Sequence, residues 1–531
     1  MCVEIKKIYR LSSEEVDKLI TFRNEPLTDF SVAENRKVME TALAQVKSQL
    51  GQTYPLRIGE KAIISERTFA SLNPCNHREI IGQVSQASPE HAELALETAW
   101  QAFASWSRLP MQVRADYLFK LAAAIRRRKA ELTAWLILEV GKNWVEADAD
   151  VAEAIDFCEY YGRQAIELSY GKSPTPLAGE RNSYVYIPLG AGLVISPWNF
   201  PFAILMGMTA AAIAAGNTVI IKPANTAAVI GAKVFELMQS INLPPGVVNY
   251  LPGSGSEIGE YLVTHPRTRF INFTGSMAVG LRINQQAAIT QPGQIWIKRV
   301  VAEMGGKDGI IVDETADLEA AAQGIVRSAF GFQGQKCSAC SRAIIVDAVY
   351  EQVLERVVEL TNKLTIGPAA ENYAVGAVID AAAFAKITSY IRECGDEGRL
   401  VTGGEYDDAQ GYFIKPTIYA NVKPDARLAQ EEIFGPVLSF IRAADFNEAL
   451  AIANNTIYGL TGSLYSMKRE HIERAKEKFH VGNLYINRHC TGALVGVHPF
   501  GGFNMSGTDS KAGGPDYLQL FMQAKSISER L

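Results

Sequence analysis

The chain has 531 residues, of which 48% are apolar and 21% are charged, as expected for a globular protein with two or three domains. A net charge of −5 and a pI near 5.9 argue against nucleic acid or an anionic membrane as a partner. The seven cysteines are odd in number and scattered, which argues against a secreted disulfide framework and favours a reducing cytosol.

Both ends of the chain lack the pattern of a targeting signal. Lys6, Lys7 and Arg10 are followed by a polar, acidic stretch, which fits neither a signal peptide nor a mitochondrial transit peptide. The last residues, Glu529-Arg530-Leu531, match no peroxisomal or retention signal. We therefore expect a cytoplasmic protein.

The first third of the chain is predicted to be mainly helical, with helices in residues 34–50 and 88–140. Ser88 has the pattern of an N-cap, because Pro89 follows it at the first helical turn. The triplet Arg126-Arg127-Arg128 lies in this helical region, where we expect a solvated face.

From Val185 onward, short β-branched segments alternate with helical ones. Strands are predicted at residues 191–195, 218–221, 247–251 and 270–273, and helices are predicted to begin at Phe202, Ala227 and Glu257. This alternation predicts a doubly wound parallel sheet.

Residues 182–221 carry no charge and could be mistaken for a membrane span. Pro188, Pro197 and Pro201 interrupt the run, which is rich in alanine and glycine and flanked by β-branched segments. A buried strand-helix-strand unit fits this pattern better than a membrane helix.

A second alternating region begins near residue 309. Its predicted strands are at residues 309–313, 343–346 and 435–442, and its predicted helices are at residues 317–330 and 348–364. The junction between the two regions falls between Glu303 and Asp308. The fold class is therefore α/β, with two doubly wound parallel-sheet domains and a small-molecule site in the cleft between them.

Cys337 lies 34 residues after Glu303, and the two supply a thiol nucleophile and a carboxylate base on either side of that cleft. Asn199, between aromatic residues in Pro197-Trp198-Asn199-Phe200-Pro201, can donate to a developing oxyanion or can satisfy loop backbone. Lys222 ends a predicted strand, where it can bind a ribose or phosphate or emerge into solvent.

Two glycine turns follow predicted strands, at residues 253–259 and 274–280. Each can present free backbone N–H groups to a phosphate, or can serve only as a tight turn. Neither has the spacing of the dinucleotide-binding fingerprint.

Cys337 and Cys340 form a C-x-x-C pair, which invites a zinc or a thiol-disulfide exchange interpretation. Neither a second such pair nor suitably spaced histidines accompany it, so we predict no metal site. Thiol-disulfide exchange, and a binding protein without turnover, remain alternatives to an enzyme that uses Cys337 as a nucleophile.

Seven motifs together resemble the aldehyde dehydrogenase superfamily in their order and spacing, from about residue 25 to the end of the chain. They are Pro-Trp-Asn199-Phe-Pro, Lys222-Pro, Phe273-Thr-Gly-Ser276, Glu303-Met-Gly-Gly, Gln335-Lys-Cys337, Glu432-Ile-Phe434-Gly-Pro and Pro499-Phe-Gly-Gly502. Finer details, in residues 24–30, 303–308, 336–342, 491–493 and 501–508, resemble the subgroup that oxidises glutamate γ-semialdehyde in proline breakdown.

The resemblance implies that Cys337 attacks the aldehyde, that Asn199 and the Cys337 backbone N–H hold the oxyanion, and that Glu303 activates the water that hydrolyses the thioester. It implies NAD as the cofactor, bound by Ser196, Trp198, Lys222, Asn225, Gly255, Gly275, Ser276, Glu432 and Phe434. Asn225 stands where many members carry a glutamate that binds the adenosine ribose. Without that negative charge, we expect NADP to be accepted as well.

The resemblance also implies a substrate site. Its residues are Phe200, Ser338, Gly492, Ala493 and Phe500, with Glu153 as a contact for the ammonium group or else a surface helix residue. Ser338, Gly492 and Ala493 would hold the α-carboxylate. A related dehydrogenase acting on another small aldehyde is the nearest alternative.

The domain organisation implied by the resemblance has three parts. Residues 1–305 would bind NAD(P), with an oligomerisation hairpin at 170–188; residues 306–505 would be catalytic; and residues 506–531 would form an oligomerisation tail. We accordingly expect a homodimer or higher homo-oligomer, with a proline dehydrogenase as a further partner.

Overall fold

A computed structural model describes residues 21–531, so Cys2 and the N-terminal residues considered for targeting lie outside the described range. The α-helices are distributed along the whole of this range. The α-helices are Ala33–Lys47, Pro89–Trp106, Met111–Arg127, Lys129–Val140, Trp144–Leu168, Ala203–Ala214, Ala228–Ser240, Glu260–Thr264, Met277–Ala288, Leu318–Phe330, Tyr350–Asn362, Ala381–Glu393, Arg427–Gln430, Phe446–Asn454 and Arg469–Lys478.

The first sheet has seven strands. In spatial order they are Arg299–Glu303, Phe270–Thr274, Ala191–Ile195, Thr218–Lys222, Val248–Tyr250, Leu56–Ile58 and Lys61–Ile63. The first five are parallel, and the last two join antiparallel at one edge. The central strands are rich in valine and isoleucine and almost wholly buried, as expected where helices cover both faces.

The second sheet also has seven strands. In spatial order they are Arg399–Thr402, Thr417–Ala420, Val437–Ala443, Cys340–Val346, Asp308–Val312, Thr461–Tyr465 and Asn483–Ile486. All of its pairings are parallel except that of the edge strand Arg399–Thr402. The predicted α/β class with two parallel sheets is confirmed.

The uncharged run at residues 182–221 is explained by burial. Its helix, Ala203–Ala214, is almost wholly inaccessible and packs against the helix Trp144–Leu168. Among residues 21–531 there is no helix that combines the length and the apolar character needed to cross a membrane.

Three small sheets complete the fold. Their strands are Gln52–Tyr54 with Asn76–Ser85 and Thr68–Asn73, Tyr406–Asp407 with Phe413–Ile414, and Glu180–Pro188 with Met522–Arg530. The strand Glu180–Pro188 therefore pairs along its whole length with the C-terminal strand.

The hairpin expected at residues 170–188 is reduced to a single bridge between Lys172 and Tyr184. Pro174 and Pro176 explain this, since proline has no N–H to give to a ladder. The chain passes from the first sheet to the second within residues 304–307, because Arg299–Glu303 belongs to one and Asp308–Val312 to the other.

Candidate active site

Cys337 lies half-buried just after a short turn, Gly331–Gly334, that joins the helix Leu318–Phe330 to the strand Cys340–Val346. The turn is tight: Gly334 has φ +67°, and a Cβ there would lie 2.4 Å from the carbonyl oxygen of Gly435. Burial raises the pKa of the Cys337 thiol, and the negative charges of Asp308, Glu432 and Glu303 raise it further. The thiol form is therefore favoured in the free protein.

Asn199 follows the strand Ala191–Ile195 and is buried, with 4% of its surface exposed. Its Nδ2 donates to the carbonyl oxygen of Gln335 at 3.1 Å, and its Oδ1 accepts from the Phe200 backbone N–H at 3.2 Å. The amide thus satisfies loop backbone, and it does so two residues before Cys337. One amide hydrogen remains available to a ligand beside the thiol.

Glu303 ends the edge strand of the first sheet, and its carboxylate is held from the far end of the chain. Oε1 accepts from the Ser510 hydroxyl at 2.7 Å, and Oε2 accepts from the Gly502 N–H at 3.3 Å. Burial raises the pKa of Glu303 to about 7. Its charge also contributes to the raised pKa of Cys337, which indicates that the two groups lie near each other, although no hydrogen bond joins their side chains within the described residues.

Ser196 and Lys222 place two polar side chains at the carboxyl edge of the first sheet. They follow and end adjacent parallel strands, and the Ser196 N–H donates to the Lys222 carbonyl at 3.3 Å. The Ser196 hydroxyl is buried without a hydrogen-bond partner among residues 21–531. The Lys222 side chain is buried, and its pKa is lowered to about 8 by that burial. A ligand rich in oxygen acceptors would satisfy both groups.

The other residues expected to bind the cofactor follow neighbouring strands of the same edge. Asn225 and Gly255 are exposed, and a Cβ on Gly255 would meet open space. Ser276 is the N-cap of the helix Met277–Ala288 and is exposed. Its side chain makes no cap bond, so the N–H groups of the first helical turn are left free. Gly275 has no room for a side chain, because a Cβ would lie 2.6 Å from the Phe273 ring.

Trp198 and Phe434 meet across the junction of the two sheets. Their rings pack edge to face with centroids 5.5 Å apart. Close by, Glu432 accepts a hydrogen bond from the Gly306 N–H at 3.1 Å, and burial raises its pKa. A Cβ on Gly305 would lie 2.1 Å from this carboxylate, so a larger residue at that position would have to displace the Glu432 side chain.

The expected substrate residues surround the same turn. Phe200 packs edge to face on Phe332. The Ser338 carbonyl accepts from the Cys490 thiol at 3.3 Å, which places the loop carrying Gly492 and Ala493 next to the turn of Cys337.

Phe500 and Ala512 exchange two backbone hydrogen bonds, which tie Phe500 to the C-terminal region. Glu153 is half-buried rather than a surface residue of its helix. Burial, followed by the charges of Asp150 and Asp156, raises the pKa of Glu153 to about 8.

Two ion pairs close to this site, one buried and one half-buried, were not predicted from the sequence. Lys142 pairs with Asp150 at 2.8 Å, both fully buried, and its ammonium lies 3.7 Å from the centre of the Phe200 ring. Lys336, directly before Cys337, pairs with Glu146 at 2.7 Å. The sequence did offer one signal for them, because Glu146 and Asp150 are four residues apart and therefore lie on the same face of one helix.

Three residues that touch the expected catalytic groups were also missed. Gln335 and Gly502 lay inside motifs quoted for the resemblance, but only the folded chain brings them against Asn199 and Glu303. Ser510 carried no signal, because it lies 207 residues from Glu303.

All six cysteines within residues 21–531 are free, so Cys337 and Cys340 are not joined. Cys340 is buried, with its thiol directed to the Arg342 carbonyl at 3.6 Å. No group of three or more His, Cys, Asp or Glu residues able to hold a metal occurs in that range.

The model of the aldehyde dehydrogenase family matches residues 63–527 of the chain. The 1-pyrroline-5-carboxylate dehydrogenase of Geobacillus kaustophilus is 60% identical over 509 residues, which cover 96% of this chain and 99% of that protein.

Two solved structures are similar over most of the chain. That of 1-pyrroline-5-carboxylate dehydrogenase from Thermus with bound NAD has a TM-score of 0.95 at 55% identity, covering 96% of this chain and 99% of the other. Proline utilization A from Bdellovibrio bacteriovorus has a TM-score of 0.93 at 46% identity, covering 96% of this chain and 53% of the other.

Proposed function

The chain belongs to the aldehyde dehydrogenase family, and we propose that it is an NAD-dependent enzyme that oxidises L-glutamate γ-semialdehyde, the open form of 1-pyrroline-5-carboxylate, to L-glutamate in proline degradation. One observation supports the proposal above all: the buried Asn199 amide bonds the backbone two residues before Cys337, and the charge of Glu303, a carboxyl with a pKa of about 7, contributes to the raised pKa of that thiol. Relatives of the same length and about 60% identity carry the name of that activity.

The residues at the carboxyl edge of the first sheet fit NAD. Ser196 offers a buried hydroxyl without a partner among residues 21–531, Lys222 offers a buried ammonium group, and the N-terminus of the helix Met277–Ala288 offers free N–H groups to a pyrophosphate. Trp198, Asn225, Gly255, Gly275, Glu432 and Phe434 complete the proposed set. Bound NAD supplies the hydride acceptor for the oxidation.

Cys337 is the nucleophile of the proposed mechanism. Its sulfur adds to the aldehyde carbon and the thiol proton passes to the former carbonyl oxygen, which accepts hydrogen bonds from Asn199 Nδ2 and the Cys337 N–H in the resulting thiohemiacetal. Loss of hydride and of the hydroxyl proton converts this adduct to a thioester.

Glu303 then acts as a general base. It takes a proton from water, the water oxygen attacks the thioester carbon, and the carbon–sulfur bond breaks to release the carboxylic acid and restore the thiol. A pKa near 7 suits a group that must gain and lose a proton near neutral pH.

We assign the carboxylate of the substrate to the Ser338 hydroxyl and the backbone N–H groups of Gly492 and Ala493. Phe200 and Phe500 would enclose the aliphatic part of the substrate. Glu153 would face the ammonium group, which would favour the ionised form of its carboxyl. In the free protein the pKa of Glu153 is raised, and an ammonium group beside the carboxyl would lower it again.

The direct test is steady-state NADH formation with pyrroline-5-carboxylate, succinate semialdehyde, betaine aldehyde and propanal as substrates. We expect kcat/KM for pyrroline-5-carboxylate to exceed the others by at least about tenfold, because its carboxylate is matched by dedicated donors. A higher kcat/KM for any of the other three would reject this substrate.

We further propose a cytoplasmic homodimer or higher oligomer built on the paired strands Glu180–Pro188 and Met522–Arg530. The second strand is exposed at every residue after Met522, and the first is mostly half-buried. Residues 1–305 and 306–505 would be the NAD(P)-binding and catalytic domains. The match to about half of a proline utilization protein supports a proline dehydrogenase as the partner that supplies the substrate.

A further inference from the structure

Residues 22–25, which we call the N-terminal clamp, lie between the helix Trp144–Leu168 and the loop of residues 490–498, which we call the anchor loop. The anchor loop contains Gly492 and Ala493. No role in the reaction has been assigned above to the clamp, yet its contacts reach the loop that carries those two residues.

Asn24 uses one side-chain amide for two contacts on different elements. Its Nδ2 donates to Asp156 Oδ2 on the helix at 2.8 Å and to the Val495 carbonyl oxygen in the anchor loop at 3.0 Å. The neighbouring Glu25 N–H donates to the other oxygen of Asp156 at 2.6 Å. Both hydrogens of the amide are thus directed to acceptors, one of them two residues after Ala493.

Phe22 covers the next residue of the loop. Gly496 has φ +75°, and a Cβ placed on it would lie 3.0 Å from the ring of Phe22 and 3.0 Å from the ring of Tyr160. The two rings pack edge to face with centroids 5.2 Å apart. The Gly496 N–H donates to the Gly513 carbonyl at 2.8 Å.

The anchor loop is therefore held from one side by the N-terminal clamp and from the other by the C-terminal region. Val495, between the two, is buried. Gly492, with φ +71°, is exposed and has no heavy atom closer than 3.5 Å to the position of an added Cβ. The held residues Val495 and Gly496 thus follow within a few positions of the exposed Gly492.

We propose that Asn24 and Phe22 are positioning residues that hold the anchor loop, and with it the N–H groups of Gly492 and Ala493, in the arrangement that binds the substrate carboxylate. The inference rests on the assignment of that carboxylate under the proposed function. It predicts that the clamp affects aldehydes with a carboxylate and leaves other aldehydes alone.

The chain offers a matched control in Thr28. Its hydroxyl donates to Asp148 Oδ1 at 2.6 Å and its N–H to Asp148 Oδ2 at 2.8 Å, so it fastens the same N-terminal segment to the same helix. Within residues 21–531, the hydrogen bonds of Thr28 are with Asp148 and Lys129, and none joins it to the anchor loop. Thr28→Val therefore removes a comparable side-chain bond without touching the proposed function of the clamp.

The experiment measures kcat and KM of the full-length enzyme for pyrroline-5-carboxylate and for propanal, together with the thermal midpoint, in the wild type, Asn24→Ala and Thr28→Val. For Asn24→Ala we expect KM for pyrroline-5-carboxylate to rise about tenfold, with kcat and the propanal constants changed less than about twofold. Thr28→Val should lower the thermal midpoint by about as much as Asn24→Ala does, and it should leave the KM values for both aldehydes unchanged.

Equal changes for both aldehydes in Asn24→Ala, or a similar rise in KM in Thr28→Val, would show a merely structural tie and overturn the proposal while the proposed function stands. If the wild type itself does not prefer pyrroline-5-carboxylate over propanal, the proposed function fails and the clamp proposal fails with it. If Asn24→Ala does not fold, Phe22→Leu, which loosens the contact on Gly496, carries the same expected selectivity and the same criteria.

Discussion

The hydroxyl of Ser510 donates a 2.7 Å hydrogen bond to Oε1 of Glu303, 207 residues earlier in the chain. This bond fixes the proposed base from outside the sheet that carries it. The Gly502 N–H holds the other oxygen, so both oxygens of the carboxylate are occupied before water arrives.

Glu303→Gln is expected to separate the two halves of the reaction. Glutamine has the same size and can still accept from Ser510, but it cannot take a proton from water. Stopped-flow absorbance should record one burst of NADH equal to the enzyme concentration, after which turnover stalls with the thioester formed. Normal steady-state turnover by this variant would show that the base is wrongly assigned.

The pH dependence of turnover should report the same carboxyl. Burial raises the pKa of Glu303 to about 7, and only the ionised form acts as a base. Thioester hydrolysis is therefore expected to be fastest above that pH and to decline as pH falls through about 7. The burst amplitude of Glu303→Gln, measured over the same range, should lack this transition; a transition that persists in the variant would belong to another group.

Cys337→Ala is expected to lower kcat by at least about 10³-fold, because no other nucleophile can replace the sulfur. NAD binding, followed by calorimetry, should be retained. The matched control is Cys340→Ala, which removes a buried thiol directed to the Arg342 carbonyl. Thiol-disulfide exchange would require both thiols, so loss of activity in Cys340→Ala would favour that alternative.

Asn199→Ala should lower kcat/KM by about 10²- to 10³-fold, the usual effect of removing one donor to an oxyanion. The hydrogen bond to Gln335 is lost as well, so the thermal midpoint needs to be measured alongside. Asn199→Asp keeps the shape and replaces the donor by an acceptor, and it is expected to be at least as impaired. Substantial activity in Asn199→Asp would argue against the proposed role.

NADP is expected to support turnover at millimolar concentration, because the exposed Asn225 brings no charge near the adenosine ribose. Asn225→Glu should lower kcat/KM for NADP by about tenfold or more and leave that for NAD within about twofold. The comparison needs only initial rates of reduced cofactor formation. No turnover of NADP by the wild type would refute the expectation.

The sequence predicted the elements whose signal is local. The strands Ala191–Ile195 and Thr218–Lys222 are short apolar runs bounded by turns, and both were found within one residue of their predicted limits. Leu56–Ile58 is three residues long, too short for a pattern to emerge, and Arg299–Glu303 has a charged residue at each end. Both segments form strands because they pair with neighbouring strands of the first sheet.

The candidate site shows the same division. Asn199 stood out because it follows an apolar strand, Cys337 because it follows a glycine-rich turn, and Glu303 because it stands before two glycines at the junction of the two regions. The bond from Ser510 and the contact of Asn24 with Val495 join residues hundreds of positions apart, and no rule of local spacing anticipates them. Such contacts follow from topology, which brings Asn24 and Ser510 against segments far from them in the sequence.

The course of the last 25 residues bears on how the assembly of this protein can be studied. The same stretch of chain that ends in the strand Met522–Arg530 begins with the contacts of residues 507 and 510 to Glu303. Removing residues 507–531 to produce a monomer would also remove the contacts that hold Glu303. The inactivity of such a variant would therefore not show that activity depends on subunit association. Substitutions of exposed side chains within the strand Met522–Arg530 test subunit association without removing the contacts to Glu303.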